Sequence, residues 1–533
     1  MSRKIPYLLA LIATAAFAAA LFAQSAWAWG LIVALPLAVL GTRDLLQRQH
    51  TLRRNYPIIG RIRWGLEAIR PQIQQYFIND DLHGRPFNRE QRSLVYARAK
   101  GENDYEPFGT EVDVHNIGFE WINHSIAPAD LASEPRLEIG TPQCTKPYNA
   151  SLLNISAMSF GALGGNAIRA LNIGARIGRF AHDTGEGGIS VHHRQGGDLI
   201  WELGTGYFGC RTSEGAFDAA RFAEQASEPE VRMVEIKLSQ GAKAGHGGIL
   251  PGAKVTAEIA SARGVAPGQD CVSPSRHKEF RSPIELLTFA DRLRELSSGK
   301  PVGIKLCIGY PFEFLAICKA MLESGILLDF VVIDGKEGGT GAAPEEFSDN
   351  IGTPLREGLL FAVNALQGCG LKDKIRIGAS GKIVSGFDMA RCLALGADWC
   401  NAARPFMFAL GCIQSRRCHT DRCPTGVATQ DKSRQSGLVV QDKSERVARL
   451  HAKTIEGLLA LVAAAGLPSP SALRPDHVFR RTTGTESKSF TELYTFLERG
   501  ELLKEARDPW YRQQWELATA DSFYPMGHQA VVS

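Results

Sequence analysis

The sequence has no surplus of either charge. Sixty lysines and arginines face 56 acids in 533 residues, and a formal charge of +4 leaves no footprint for nucleic acid. No G-x-G-x-x-G turn follows an early apolar run, so a doubly wound dinucleotide-binding sheet is the weaker fold reading. Cysteine forms no disulfide framework. The eleven thiols are mostly scattered, and Cys307, Cys318 and Cys392 sit inside apolar runs, which points to a reducing compartment with buried thiols. Charge is missing altogether between Ile5 and Leu40.

That uncharged run spans 36 residues, too long for one membrane span of about 20 and just enough for two short ones. Two readings compete. In one, Arg3-Lys4, the apolar stretch and Ala26-Trp27-Ala28 form a cleaved signal peptide. In the other, residues 6–23 and 26–41 form a transmembrane hairpin. Arg3 and Lys4 flank one end of it, and Arg43, Arg48, Arg53 and Arg54 flank the other. With two spans both basic ends lie on the cytoplasmic side. The signal-peptide reading leaves the second apolar run unexplained, so a hairpin over 1–41 is the expectation. The catalytic domain would then face the cytoplasm from the cytoplasmic membrane.

Residues 42–130 are polar, punctuated by Pro57, Pro71, Pro86 and Pro107, and read as a cap or linker with short helices over 64–70 and 91–100. From Leu152 the pattern changes to short apolar runs alternating with helical stretches. The runs are Leu152–Ser156, Arg179–Asp183, Val234–Ser239, Asp270–Ser273, Val302–Ile308, Phe330–Asp334, Ile375–Ala379 and Trp399–Ala402. Asn166–Ile177, Pro283–Leu296, Phe312–Ser324, Leu355–Gln367 and Gly386–Leu395 carry apolar residues at i, i+3 and i+4. Eight such strands with intervening helices predict an α/β fold, a (β/α)8 TIM barrel, over residues 131–470. One more amphipathic helix is expected over Lys443–Ala465. Residues 471–533 read as a polar surface extension.

In a barrel, chemistry sits just after the C-terminal ends of the strands. Glycine-rich loops there, at Gly338, Gly339, Thr340 and Gly341, at Gly381 and at Ala402, Ala403 and Arg404, have bare N–H groups suited to a phosphorylated cofactor. Lys305 stands alone in an apolar strand and needs an anion or an electron-rich ring beside it. The N1/O2 edge of a flavin fits; the plain alternative is a salt bridge with a barrel carboxylate such as Glu235. After the eighth strand, Cys412, Cys418 and Cys423 follow a C-x5-C-x4-C-P spacing. Three thiols so close either bind a metal or iron–sulfur centre or pair as disulfides with one left over, unless the loop carries no cofactor.

Ser156–Ala162, Thr184–Gly188, Ile236–Gly252, Lys305-Leu306-Cys307, Asp334–Pro344 and Cys412–Gln430 together resemble the FMN-binding synthase domain of glutamate synthases. The segments Ile236–Lys243 and Cys418–Gln430 are the most specific. The resemblance covers residues 85–485 and looks nearer to the short, stand-alone form of that family. It implies FMN against Ala157, Met158, Gln240, Lys305 and the late loops. It implies a [3Fe-4S] cluster on Cys412, Cys418 and Cys423. Glu186 and Lys243 match family residues near the flavin and the imine, and Arg263 falls where the family holds a 2-oxoglutarate carboxylate. The implied reaction reduces 2-iminoglutarate, from 2-oxoglutarate and ammonia, to L-glutamate, with electrons from a donor protein or subunit.

Three features depart from the long family form. No glutaminase domain and no terminal β-helix are expected, so ammonia would be free or come from a partner. Ile249 stands where the long enzymes hold a glutamine near the substrate, which leaves substrate identity open. Alternatives are therefore an oxidoreductase for another 2-oxo or amino acid, electron transfer to quinone, and a non-catalytic redox scaffold.

Overall fold

The computed structural model describes residues 2–130, 135–504 and 506–527. The expected domain boundary at 130/131 and the end of the extension at 528–533 fall outside them. The chain forms two compact units, residues 1–90 and 91–533.

The first unit is helical. α1 (Ile5–Ala20) and α2 (Ala28–Leu46) pack against each other as an antiparallel pair. Tyr7 and Thr42 share a hydroxyl hydrogen bond at 3.0 Å, and the rings of Phe17 and Trp27 meet 5.9 Å apart at the other end. Outward-facing Leu9, Ile12, Trp29, Ile32 and Val33 are all exposed. The stretch Ser25–Leu46 is long and apolar enough to cross a membrane by length and composition; α1 is shorter. α3 (Arg61–Ile73) follows, and runs into one wider helical turn at Gln74–Ile78.

The second unit is built on a closed parallel barrel of eight strands in sequence order. They are β1 (Leu153–Ile155), β2 (His182–Asp183), β3 (Leu199–Leu203), β4 (Val231–Lys237), β5 (Val302–Leu306), β6 (Phe330–Asp334), β7 (Arg376–Ser380) and β8 (Trp399–Ala402). Helices α4 (Gly165–Gly178), α5 (Ala219–Ala226), α6 (Pro283–Leu296), α7 (Pro311–Ser324), α8 (Leu355–Gly368), α9 (Gly386–Ala394) and α10 (Val440–Ala464) follow their strands. The barrel expectation thus holds in closure and order. Two strand assignments do not. The third barrel strand is Leu199–Leu203, which the sequence reading passed over. Asp270–Ser273 is no barrel strand: Cys271-Val272 pairs antiparallel with Ile249-Leu250 within the connection from β4 to α6.

The physical reason is the β2–β3 connection. It has no helix, so no 3.6-residue period marks it as a crossover. Glu202 also interrupts the apolar run of β3. Six of the eight strands are buried along their whole length, as expected for a parallel sheet covered on both faces. The hairpin Leu137–Ile139/Tyr148–Ala150 plugs the N-terminal end of the barrel, where Ile139, Tyr148 and Ala150 pack on Ile200, Met233, Phe330 and Trp399.

The tail is more than a surface extension. Val478–Arg481 pairs with Glu120–Ile122 on one side and Ser487–Ser489 on the other. Glu120 anchors this sheet to the barrel helices through Arg356 at 2.6 Å and Arg391 at 2.9 Å. Helix Pro509–Leu517 packs on α7.

Candidate active site at the barrel mouth

The loops after β2 and β4 bring four charged side chains together. Glu186, three residues past β2, lies 3.0 Å from Lys237 at the end of β4. Lys243 sits in the single turn Gly241–Lys243 just beyond, almost fully buried. Burial works to raise the Glu186 carboxyl, but Lys237, Lys243 and Arg263 outweigh it and hold the group at about 2. Burial lowers the Lys243 ammonium, and Glu186 offsets only part of that. The backbone crowds Glu186 as well: a Cβ on Gly248 would sit 2.3 Å from its carboxylate oxygen, so a larger residue there would displace the carboxylate. The result is a carboxylate fixed in its charged form beside two lysines, at the place where loops of a barrel hold substrate.

Arg263 closes helix Ala257–Arg263 and is 4% exposed. Its guanidinium donates to the Phe160 carbonyl at 3.1 Å and the Ser159 hydroxyl at 3.3 Å, and it lies over the Phe208 ring. It therefore braces the loop after β1, with its Nε left without a partner. Ile249 stands next to Gly248, half-buried, and its side chain offers no hydrogen bond.

Lys305, near the C-terminal end of β5, makes ion pairs with barrel carboxylates. Its Nζ pairs with Glu202 on β3 and lies 3.4 Å from Glu235 on β4. Asp183, Glu202 and Glu235 all converge within 4.8 Å of one another. Three buried carboxylates around one lysine leave excess negative charge. Burial pushes Glu235 up to about 7, with Glu202 adding to the effect, and pushes Asp183 well above its ordinary value, with Glu235 and Glu202 adding. The same carboxylates hold the Lys305 ammonium well above its ordinary value, against its burial. Lys237 links this cluster to the mouth, since it reaches Glu202 at 4.0 Å as well as Glu186. Its Nζ also donates to Gln240 Oε1 at 2.7 Å. Glu202, Lys237 and Asp183 went unassigned in the sequence. The available signal was a lone carboxylate in Leu199-Ile200-Trp201-Glu202-Leu203, the counterpart of the lone Lys305 in its own strand.

Ala157 and Met158 follow β1, with Met158 buried beneath the mouth. Gly338, Gly339, Thr340 and Gly341 follow β6, Gly381 follows β7, and Ala402, Ala403 and Arg404 end β8 and open the next helix. Among the described residues, no acceptor engages the N–H groups of Gly339, Thr340 or Gly341. Arg404 donates to the Thr340 carbonyl, so a guanidinium lies beside those free donors. This corner fits a phosphate.

Arg404 also reaches the Cys418 sulfur at 3.8 Å, which joins the phosphate corner to the cysteine loop. Cys412 and Cys423 are buried and Cys418 half-buried, and all three are free thiols. The loop is strained and well tied. Gln414, Arg416 and Asp421 have positive φ. The fully buried Lys254 donates to the carbonyls of Ala162 at 2.6 Å, Cys418 at 3.2 Å and Ala428 at 3.3 Å. Tyr96 holds the Cys412 carbonyl at 2.6 Å. The sulfurs do not converge on one point as the carboxylates do. A donor set of soft thiols spread over one loop suits a cluster of several irons better than a single ion.

Comparison with known proteins agrees with this geometry. The family model described as "Conserved region in glutamate synthase" matches residues 123–468. The "glutamate synthase large subunit-like protein YerD" of Bacillus subtilis strain 168 is 36% identical over 501 residues, 85% of this chain and 95% of that one. The "archaeal glutamate synthase [NADPH]" of Methanocaldococcus jannaschii is 33% identical over 406 residues, 76% of this chain and 73% of that one. Among solved structures, a mandelate oxidase variant with benzaldehyde is 16% identical and covers 69% of this chain and 86% of that one, with a TM-score of 0.41; that likeness is too loose to carry an argument. The family match spans every barrel strand, the charged mouth and the cysteine loop: this chain belongs to the glutamate synthase family.

Proposed function

We propose that the chain is an FMN-dependent oxidoreductase of glutamate synthase type that reduces 2-iminoglutarate, formed from 2-oxoglutarate and ammonia, to L-glutamate. The observation that carries this reading is the cluster of Lys237, Lys243 and Arg263 around Glu186. A small dicarboxylic acid brings negative charge, and its imine carbon accepts hydride more readily when the nitrogen is protonated. Bound FMN would supply the hydride, and a [3Fe-4S] cluster would supply one-electron transfer from a donor. Gly339, Thr340, Gly341 and Arg404 would hold the flavin phosphate, with Ala157, Met158 and Gln240 near its ring. Cys412, Cys418 and Cys423 would hold the cluster.

The chain's own residues have distinct tasks. Glu186 stays charged and accepts a hydrogen bond from whichever lysine or imine N–H faces it, which orients the imine nitrogen. Lys243, with its ammonium weakened by burial, hands a proton to that nitrogen and is recharged from solvent. Lys237 relays charge between the mouth and the Glu202 cluster beneath it.

The test is anaerobic single-turnover reoxidation of the reduced holoprotein with 2-oxoglutarate and ammonia. Rapid reoxidation with glutamate formed supports the proposal. Reoxidation by a more apolar 2-oxo acid with none by 2-oxoglutarate favours the second reading, which Ile249 motivates. The apolar pair α1/α2 supports a further part of the proposal, a membrane anchor with the barrel on the cytoplasmic side.

A further inference from the structure

The first unit ends in a segment that neither the barrel nor the anchor explains. α3 carries Ile62, Leu66, Ile69 and Ile73 at i, i+4, i+7 and i+11, one stripe along its length. Ile62 is 61% exposed, Leu66 56% and Ile69 49%. The turn that follows adds Tyr76, Phe77 and Ile78, exposed to 55–83%. Such a run of large apolar side chains in water is unfavourable unless something covers it.

Charge and attachment identify the cover. Arg63 and Arg70 border the stripe on one side and Arg61 on the other, at about 100° of helical turn per residue. Between Gly41 and Arg70 there are seven arginines and two carboxylates. One of those carboxylates, Asp44 in the last turn of α2, is fully buried and grips Arg61 at 2.6 Å, with the Ile58 N–H donating to it at 3.1 Å. The first residue of α3 is therefore pinned to the end of the apolar helix, at the level where a span would leave the hydrocarbon.

We infer that α3 and the turn Gln74–Ile78 lie flat in the headgroup layer of an anionic bilayer, apolar stripe inward and arginines against lipid phosphates. The inference rests on reading α1/α2 as a membrane anchor. It makes the segment a surface float that fixes where the chain leaves the membrane.

The test uses the full chain in vesicles of phosphatidylcholine with phosphatidylglycerol, and in phosphatidylcholine alone. A carbene photoreagent dissolved in the acyl chains is activated, and labelled peptides are mapped by mass spectrometry. Label is expected on residues 61–78 as well as 5–46, stronger on 61–78 with the anionic lipid. Leu66→Glu is expected to cut the label on 61–78 by about fivefold and leave that on 5–46 unchanged. Label on 5–46 with none on 61–78 overturns the inference and leaves the anchor standing. Label on neither overturns both. Equal label on 61–78 in the two vesicles overturns the claim on lipid charge. Cross-links from 61–78 to a second copy, without lipid label, assign the stripe to self-association and overturn it too.

Discussion

Side chain by side chain, the barrel interior holds more negative charge than Lys305 neutralises. Glu235 is pushed up by burial to about 7 from an ordinary value of 4.5. An acid with a raised folded pKa binds more protons folded than unfolded between those values. Stability therefore falls as pH rises from about 4.5 to about 7. Glu235→Gln removes that proton uptake, and the decline of the thermal midpoint across this window is expected to flatten. A slope equal to that of the unaltered chain would count against the charge cluster. Glu186 has the opposite sign. Its depressed value contributes stability above 4.5 that is lost as pH falls towards about 2. For Glu202→Gln, the loss of one partner of a buried pair costs about 3–5 kcal/mol, and Glu235 remains for Lys305, so a loss near about 3 is expected in denaturant melts. Glu186→Gln is expected to slow substrate-dependent reoxidation by roughly a hundredfold or more, with flavin content retained.

At the scale of elements, helices were the legible part. Pro283–Leu296 is found to the residue, and Asn166–Ile177 and Phe312–Ser324 within one residue at each end, because the 3.6-residue period is a local signal. Short parallel strands carry no such signal. β2 is two residues long and β3 hides a glutamate, so their pairing is set by neighbours distant in sequence. Loop-to-loop fits are equally non-local. A Cβ on Gly241 would lie 1.7 Å from the Gly335 carbonyl, so the loops after β4 and β6 meet backbone to backbone. The cysteine loop is a second such case. From a separate turn, Lys254 ties two of its carbonyls, those of Cys418 and Ala428, to that of Ala162 after β1, which no spacing rule reveals. Lys254→Met is expected to raise amide hydrogen exchange over 418–428 and to lower iron content. Cys418→Ser is expected to abolish the iron signal and keep FMN. Iron retained at full stoichiometry in Cys418→Ser would remove that residue from the ligand set.

For the whole molecule, a closed barrel places ends of eight strands around one mouth, and the family match spans all eight strands and the residues they carry. Glu186, Lys243, Gly338–Gly341 and the three cysteines are spread over about 240 residues of sequence, yet their loops share one end of the barrel. The separate helical unit leads to a further expectation. The full chain should remain with membranes through a carbonate wash and be released by detergent, measured by immunoblot of pellet and supernatant. Release by carbonate alone would assign α1 and α2 to a peripheral contact.

Composition, periodicity and motif spacing determined the α/β barrel class, most helix positions, the candidate phosphate loops and the three thiols, because each is written in residues close together along the chain. Only the tertiary structure decided which carboxylates face Lys305, since Glu202 and Glu235 arrive from two other strands. It likewise decided that Arg263 braces the β1 loop, that Lys237 joins two charge clusters, and that Cys271-Val272 belongs outside the barrel. For Lys305, Arg263 and Lys237 the deciding contact is between residues far apart in sequence, and it forms only when the barrel closes; Cys271-Val272 instead pairs within one connection, where a run of two residues carries no sign of its partner.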